Sequence, residues 1–173
     1  IDLDDDADDT KFTAEHVALV VPQVDQDASK HLKRLVAGWG MLADFCFSDL
    51  VLYLLDSEGR YVMANHIRPT TSQTIYHGDI VGEVRDPTQR PLIDQAYRSG
   101  GFCRGEIDSA WLGERVRVAA IPVRLGQRTI AVLAREYFSA FRHHPGELEQ
   151  TYEEVFERFR TMIASGLFPF PEE

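Results

Sequence analysis

Cysteine is nearly missing from this chain: two residues among 173, Cys46 and Cys103, with no C-x-x-C pattern. A disulfide framework and a cysteine-rich zinc centre are therefore poorly supported, and so few thiols suit a reducing cytoplasm. Long apolar runs are missing too. The longest, residues 50–55, falls far short of the roughly 20 residues a membrane helix needs, and no signal-peptide pattern is visible. Base is scarce, with 18 Lys and Arg against 28 Asp and Glu and a net charge of −10. Phosphate neutralisation needs a basic face, so this balance argues against nucleic-acid binding and against docking on an anionic membrane. No P-loop, G-x-G-x-x-G, H-E-x-x-H or G-x-S-x-G pattern occurs, so those modes of phosphate, metal and nucleophile chemistry have no signature here.

What is present suits one soluble domain. Hydrophobic residues make up 44% and aromatics 10%, enough to build a core. The acidity is uneven: Asp2, Asp4, Asp5, Asp6, Asp8 and Asp9 crowd the start with no base among them. Residues 1–27 read as an acidic, self-repelling leader, residues 28–169 as the domain, and 170–173 as the start of a linker.

A helix is expected over 28–47, where Leu32, Leu35, Val36, Trp39, Leu42, Ala43 and Cys46 recur every three or four residues and make one apolar face. Asp25 or Asp27 is its candidate cap. Residues 50–55 then read as a strand buried on both faces, joined through the Asp56-Ser57-Glu58-Gly59 turn to a returning strand at 61–67. The polar, threonine-rich stretch 68–78 is a loop. Asp86-Pro87-Thr88-Gln89 resembles a capping box and predicts a helix from there to about residue 99, stopped by Gly100-Gly101. Strands are expected near 102–108, 116–123 and 129–136. Pro122 requires an edge or a bulge, since it cannot donate to a ladder. The last helix, over 146–165, spaces Leu148, Tyr152, Val155, Phe159 and Met162 by fours and threes, a heptad seam that Phe156 and Ile163 widen. That seam faces its own domain or a second subunit. The sum is an α+β fold, one mostly antiparallel sheet of about five to six strands flanked by N- and C-terminal helices.

Chemistry-bearing residues are few. His143-His144 stand in a loop without a third metal ligand, so no metal is assigned. Cys46 falls on an apolar helix face, whereas Cys103 beside Arg104 would have a lowered thiol pKa if exposed. Arg104, Arg115, Arg117 and Arg124 either hold an anion or pair with Glu106, Asp108 and Glu114 across strands.

Several strings are more specific: Trp39-Gly40-Met41-Leu42-Ala43-Asp44, Phe47-Ser48-Asp49-Leu50, Arg68-Pro69-Thr70 with Gln73-Thr74, Arg90-Pro91, Ala120-Ile121-Pro122-Val123-Arg124, Ile130-Ala131-Val132-Leu133 and Met162-Ile163 before Gly166-Leu167-Phe168-Pro169. In this order, over about 30–169, they resemble the N-terminal GAF-like sensor domain of actinobacterial cytosolic histidine kinases of the PdtaS type. The resemblance implies a parent protein with a PAS domain, a phosphoacceptor helix and an ATP-binding domain downstream. It also implies histidine autophosphorylation and phosphotransfer to a response regulator. The Asn-rich and Gly-rich boxes of a kinase ATP lid are not in this sequence, so no catalytic residue is carried over, and ATP would belong to the missing kinase region.

On this reading a signal enters between the sheet and residues 68–83. Tyr53, His66, Arg68, Thr70, Tyr76 and Arg117 are the candidate ligand-binding residues. No cofactor is identified, although an unknown small-molecule signal fits. Leu148, Tyr152, Val155, Phe159 and Met162 form the candidate dimer helix of a cytoplasmic homodimer. The alternatives are a ligand-free dimerisation module of the same kinase, or a GAF-type thiol reductase resting on Cys103.

Overall fold

The computed structural model describes residues 24–70, 73–110, 112–140 and 147–170. The aspartate leader and His143-His144 lie outside the described residues, as does the Leu148 side chain. Helix α1 (Gln26–Cys46) opens on Asp25, whose Oδ1 accepts from the Ala28 amide at 2.8 Å, satisfying one of the exposed donors of the first turn. Its apolar face is buried as the spacing predicts, from Leu32 through Trp39 to Cys46.

Strands β1 (Asp49–Leu55) and β2 (Tyr61–Ile67) form the expected antiparallel hairpin. Its turn is tied by Asp56, which accepts the Glu58 and Arg60 amides at 2.9 and 2.8 Å. After a short β3 (Val84–Arg85) comes α2 (Pro91–Ser99), and then β4 (Cys103–Ser109), β5 (Glu114–Leu125), β6 (Arg128–Phe138) and α3 (Glu147–Ala164). The sheet order is β3-β2-β1-β6-β5-β4, every pair antiparallel. β1 is therefore central, and six of its seven residues are buried.

Helix α2 begins later than the capping box predicts. Gln89 Oε1 does accept the Asp86 amide at 3.0 Å, but this closes a turn rather than a helix. The cause is Pro91, whose ring disfavours helical geometry at the residue before it. Arg90 sits at φ −131°, ψ 58°, and the helix starts at Pro91. Gly100, at φ 64°, ends it as expected. Pro122 is accommodated because β4 pairs with β5 only as far as Ala120, which leaves that end of β5 an edge, with a register shift beside it at Val123/Arg124.

Two apolar clusters lie on opposite faces of the sheet. One joins α1 and α3 to Leu50, Leu52, Leu54, Val123 and Leu133. Within it Phe156 and Ile163 of α3 are fully buried, and Phe159 and Met162 pack against the same core. Tyr152 stacks 5.3 Å from the Phe45 ring. Much of the heptad seam thus covers its own domain. The second cluster lies under α2 and the long loop, where Val51, Tyr53, Met63, Val118, Val132 and Ala134 meet Ile75, Tyr76, Ile80 and Ile93.

Candidate functional site

Apart from the Tyr61 hydroxyl, which donates to Asp94 at 2.8 Å, the polar side chains on the face of the second cluster gather around two carboxylates. Glu136 and Asp49 face each other in register on β6 and β1, and both are fully buried. Alternation along β6 places Glu136 on the face of Val132 and Ala134. It accepts the Tyr53 hydroxyl at 2.7 Å on one oxygen and the Tyr76 hydroxyl on the other. Arg90, 1% exposed, is set at the foot of α2 by the Pro91 start. Its Nη2 lies 3.1 Å from the Tyr76 oxygen and 3.8 Å from Glu136 Oε2, with the guanidinium 5.7 Å from the Tyr53 ring centre.

Asp49 holds the loop in a second way. It accepts the Thr74 hydroxyl at 2.6 Å and the Ile75 amide at 2.8 Å. His66 brings Nε2 to within 2.7 Å of its Oδ1, and that ring meets Tyr76 edge-on at 5.1 Å. The Tyr76 amide in turn donates to Thr74 Oγ1 at 3.1 Å. The segment 74–76 is thus fastened to the sheet by donors that end on two buried carboxylates.

Electrostatics keep these donors protonated. Burial, reinforced by the Glu136 charge, pushes the Tyr53 and Tyr76 hydroxyls well above the usual phenol range. Burial is the largest influence and opposes the Arg90 charge, but Glu136, Tyr53 and Tyr76 together outweigh it and the guanidinium is held more firmly protonated. The arrangement can hold, and on exchange of partners release, a segment carrying hydroxyl and amide donors. Among the described residues no group of three His, Cys, Asp or Glu is placed to hold a metal.

Of the residues singled out from the sequence, Tyr53, His66 and Tyr76 meet here. Arg68 and Thr70 lie at the exposed start of the loop. Arg68 donates to the Gly78 carbonyl at 2.8 Å, and the Thr70 hydroxyl donates to Asp44 at 2.7 Å. Arg117 is not brought to the cluster. Its neighbours Val116 and Val118 face the cluster side, so alternation turns Arg117 to the other face, where it pairs with Glu106 at 2.9 Å. Arg115 likewise pairs with Asp108 at 3.0 Å, so these two arginines follow the cross-strand reading. Cys46 is core, its thiol pushed up by burial to about 12. The expected lowering at Cys103 does not occur: partial burial raises its thiol.

Sequence reasoning missed Glu136, Asp49, Thr74 and Arg90. A usable signal existed for the carboxylates. Glu136 shares a period-two face with Val132 and Ala134, and Asp49 with Val51 and Tyr53, so each is an acid on an otherwise buried stripe. Arg90 carried no such signal, because a residue before proline reads as a boundary.

Comparison with known proteins is consistent with this architecture. The family described as "Histidine kinase PdtaS, GAF domain" matches residues 15–156. Among curated relatives, the sensor histidine kinase PdtaS of Mycolicibacterium smegmatis is 34% identical over 160 residues, covering 90% of this chain and 31% of that protein. The protein of the same name from Mycobacterium tuberculosis is 32% identical over 162 residues, with the same two coverages. The chain therefore spans about a third of the length of these curated relatives. A solved sensor region of a sensor histidine kinase superposes with a TM-score of 0.75 at 29% identity, covering 90% of this chain and 54% of that one. An IclR-type transcriptional regulator from Alicyclobacillus acidocaldarius, at TM-score 0.52 and 12% identity over 88% of this chain and 72% of its own, shares the fold alone.

Proposed function

The chain belongs to the family of PdtaS GAF domains, and on that premise we propose that it is the N-terminal signal-input domain of a cytosolic, homodimeric two-component histidine kinase. The parent protein autophosphorylates a histidine and passes the phosphoryl group to a response regulator. ATP serves only the kinase region, which lies outside this chain. The signal is a small molecule received on the face beneath residues 68–83, with Tyr53, His66 and Tyr76 at its centre.

The observation that carries this reading is the fastening of the loop. Thr74 and Ile75 are tied to the sheet through Asp49, and the Tyr76 hydroxyl through Glu136. A ligand that presents its own donors to those carboxylates replaces the loop at little net hydrogen-bond cost. Two conformations then differ in affinity for it, as a ligand-driven switch requires. The test is autophosphorylation of the full-length parent kinase with radiolabelled ATP. Tyr76→Phe is expected to change its rate at least threefold by releasing the loop, and an unchanged rate refutes the sensor role of this face.

A second reading, a ligand-free dimerisation module, is favoured by Leu167 and Phe170, each 63% exposed just beyond α3. Sedimentation of the double Leu167→Glu, Phe170→Glu variant tests it: a dimer that persists unchanged removes those residues from any subunit contact.

A further inference from the structure

The loop and the terminal helices lie on opposite faces of one sheet, so any signal between them must cross it. Two pairs of consecutive residues do so. On β6, Glu136 faces the loop and takes the Tyr53 and Tyr76 hydroxyls. Its neighbour Arg135 faces the other side, where Nη2 and Nη1 fork onto Glu153 of α3 at 2.6 and 3.1 Å. Arg135 also donates to the Cys46 carbonyl at 3.0 Å and to Ser48 Oγ at 3.1 Å, at the end of α1. Its guanidinium lies 5.2 Å from the centre of the Phe156 ring. At the entry to β1 the pattern repeats. Ser48 donates to the Cys46 carbonyl at 2.7 Å, while the next residue, Asp49, holds Thr74, Ile75 and His66 on the loop side. The two steps meet at one register position, Asp49 opposite Glu136, while Arg135 stands opposite Leu50 and reaches Ser48 through its side chain.

We infer that the Ser48–Asp49 and Arg135–Glu136 steps form a two-sided clamp, in which Arg135 is a positioning residue that couples release of residues 74–76 to the seating of α3 through its fork on Glu153. The physical basis is that β6 is hydrogen-bonded on both sides and side chains of adjacent residues are fixed to opposite faces. Displacing the Glu136 carboxylate therefore moves the root of Arg135. A bidentate guanidinium–carboxylate pair tolerates little misalignment. The clamp takes its biological meaning from the sensor reading, but the coupling itself is a property of this chain.

The test is a double-mutant cycle on the 173-residue chain, read by amide hydrogen exchange without ATP or partner. The variants are Tyr76→Phe, Glu153→Gln and both together. Tyr76→Phe is expected to lower protection of the α3 amides, and Glu153→Gln to abolish that response. The protection lost in the two backgrounds should differ by more than threefold, beyond the scatter of independent sites. A difference of threefold or less overturns the inference. Thr74→Val replaces Tyr76→Phe if the latter fails to fold. Arg135→Lys, which keeps the charge and loses the fork, should uncouple as Glu153→Gln does; coupling that survives it also overturns the inference. Kinase assays of the parent separate the two ideas. A coupled chain that leaves autophosphorylation untouched refutes the sensor reading and keeps the clamp, while regulation without coupling refutes the clamp alone.

Discussion

Replacing Glu136 by Leu is the sharpest probe of the buried cluster. The substitution removes the acceptor of two buried hydroxyls, those of Tyr53 and Tyr76, and the carboxylate that the Arg90 guanidinium faces at 3.8 Å. Breaking a buried ion pair from one side costs about 3–5 kcal/mol. For a domain of this length that is a fall in Tm of about 6–20 °C, at roughly 2–4 °C per kcal/mol. Glu136→Gln, which keeps one acceptor oxygen, should cost about 1.5–3 kcal/mol, the worth of hydrogen bonds to a charged group. The decisive variant is Arg90→Met combined with Glu136→Leu. It replaces both charges by apolar groups of similar bulk and should recover the part of the loss due to the unpaired guanidinium, leaving the part due to the Tyr53 and Tyr76 hydroxyls that have lost their acceptor. Urea unfolding of the three variants, followed by circular dichroism, gives the comparison. If Glu136→Leu costs under about 0.5 kcal/mol, as a surface change would, or if the double variant is no more stable than the single one, the electrostatic account of the cluster is wrong.

Three further outcomes follow from other parts of the fold. Tyr53, Tyr61 and Tyr76 all have raised hydroxyl pKa values, burial being the largest cause, so they stay protonated in the fold while the unfolded chain ionises near pH 10. Their stabilisation is complete below that pH and declines above it; absorbance at 295 nm should show three of the six tyrosines titrating only with unfolding, and a smooth six-tyrosine titration of folded protein would contradict it. Ellman's reagent should modify one thiol in the native chain and two in guanidinium, since Cys46 is fully buried and Cys103 half-buried; two fast native thiols would refute the packing of Cys46. Gly166→Ala should destabilise by about 1–2 kcal/mol for the positive φ alone, and by more because its methyl would sit 3.1 Å from the Arg124 carbonyl oxygen. Thermal unfolding measures it, and a variant as stable as the parent would contradict that close approach.

How much of this could be read from the residues depends on whether the determinant is local. α1 was legible from the Leu32-to-Cys46 spacing, and β1 from an apolar run too short for a helix. Gly100 marked the end of α2 by itself. The start of α2 was misread because a capping box and a proline five residues after its cap compete, and the proline's steric exclusion at Arg90 is the stronger term. The site was only half legible. Tyr53, His66 and Tyr76 were reachable from the idea of a loop over a sheet. Arg117 was misplaced because strand alternation, decided by Val116 and Val118, outweighs charge in choosing a face. Arg90 becomes part of the cluster only through tertiary packing of α2, which no window of sequence contains.

The central place of β1 has a consequence for how the chain is made. Its two neighbours are β2, six residues on, and β6, which supplies Glu136 to Tyr53 across 83 positions. At about 5–20 residues per second, the most apolar strand waits roughly 4–17 s on the ribosome for its second partner. During that interval β1 keeps an open edge, the configuration most prone to pair with the wrong chain. A stop before residue 132 would make that interval permanent, because β1 pairs with residues 132–136, so messages truncated ahead of that stretch should yield aggregate rather than a smaller folded domain.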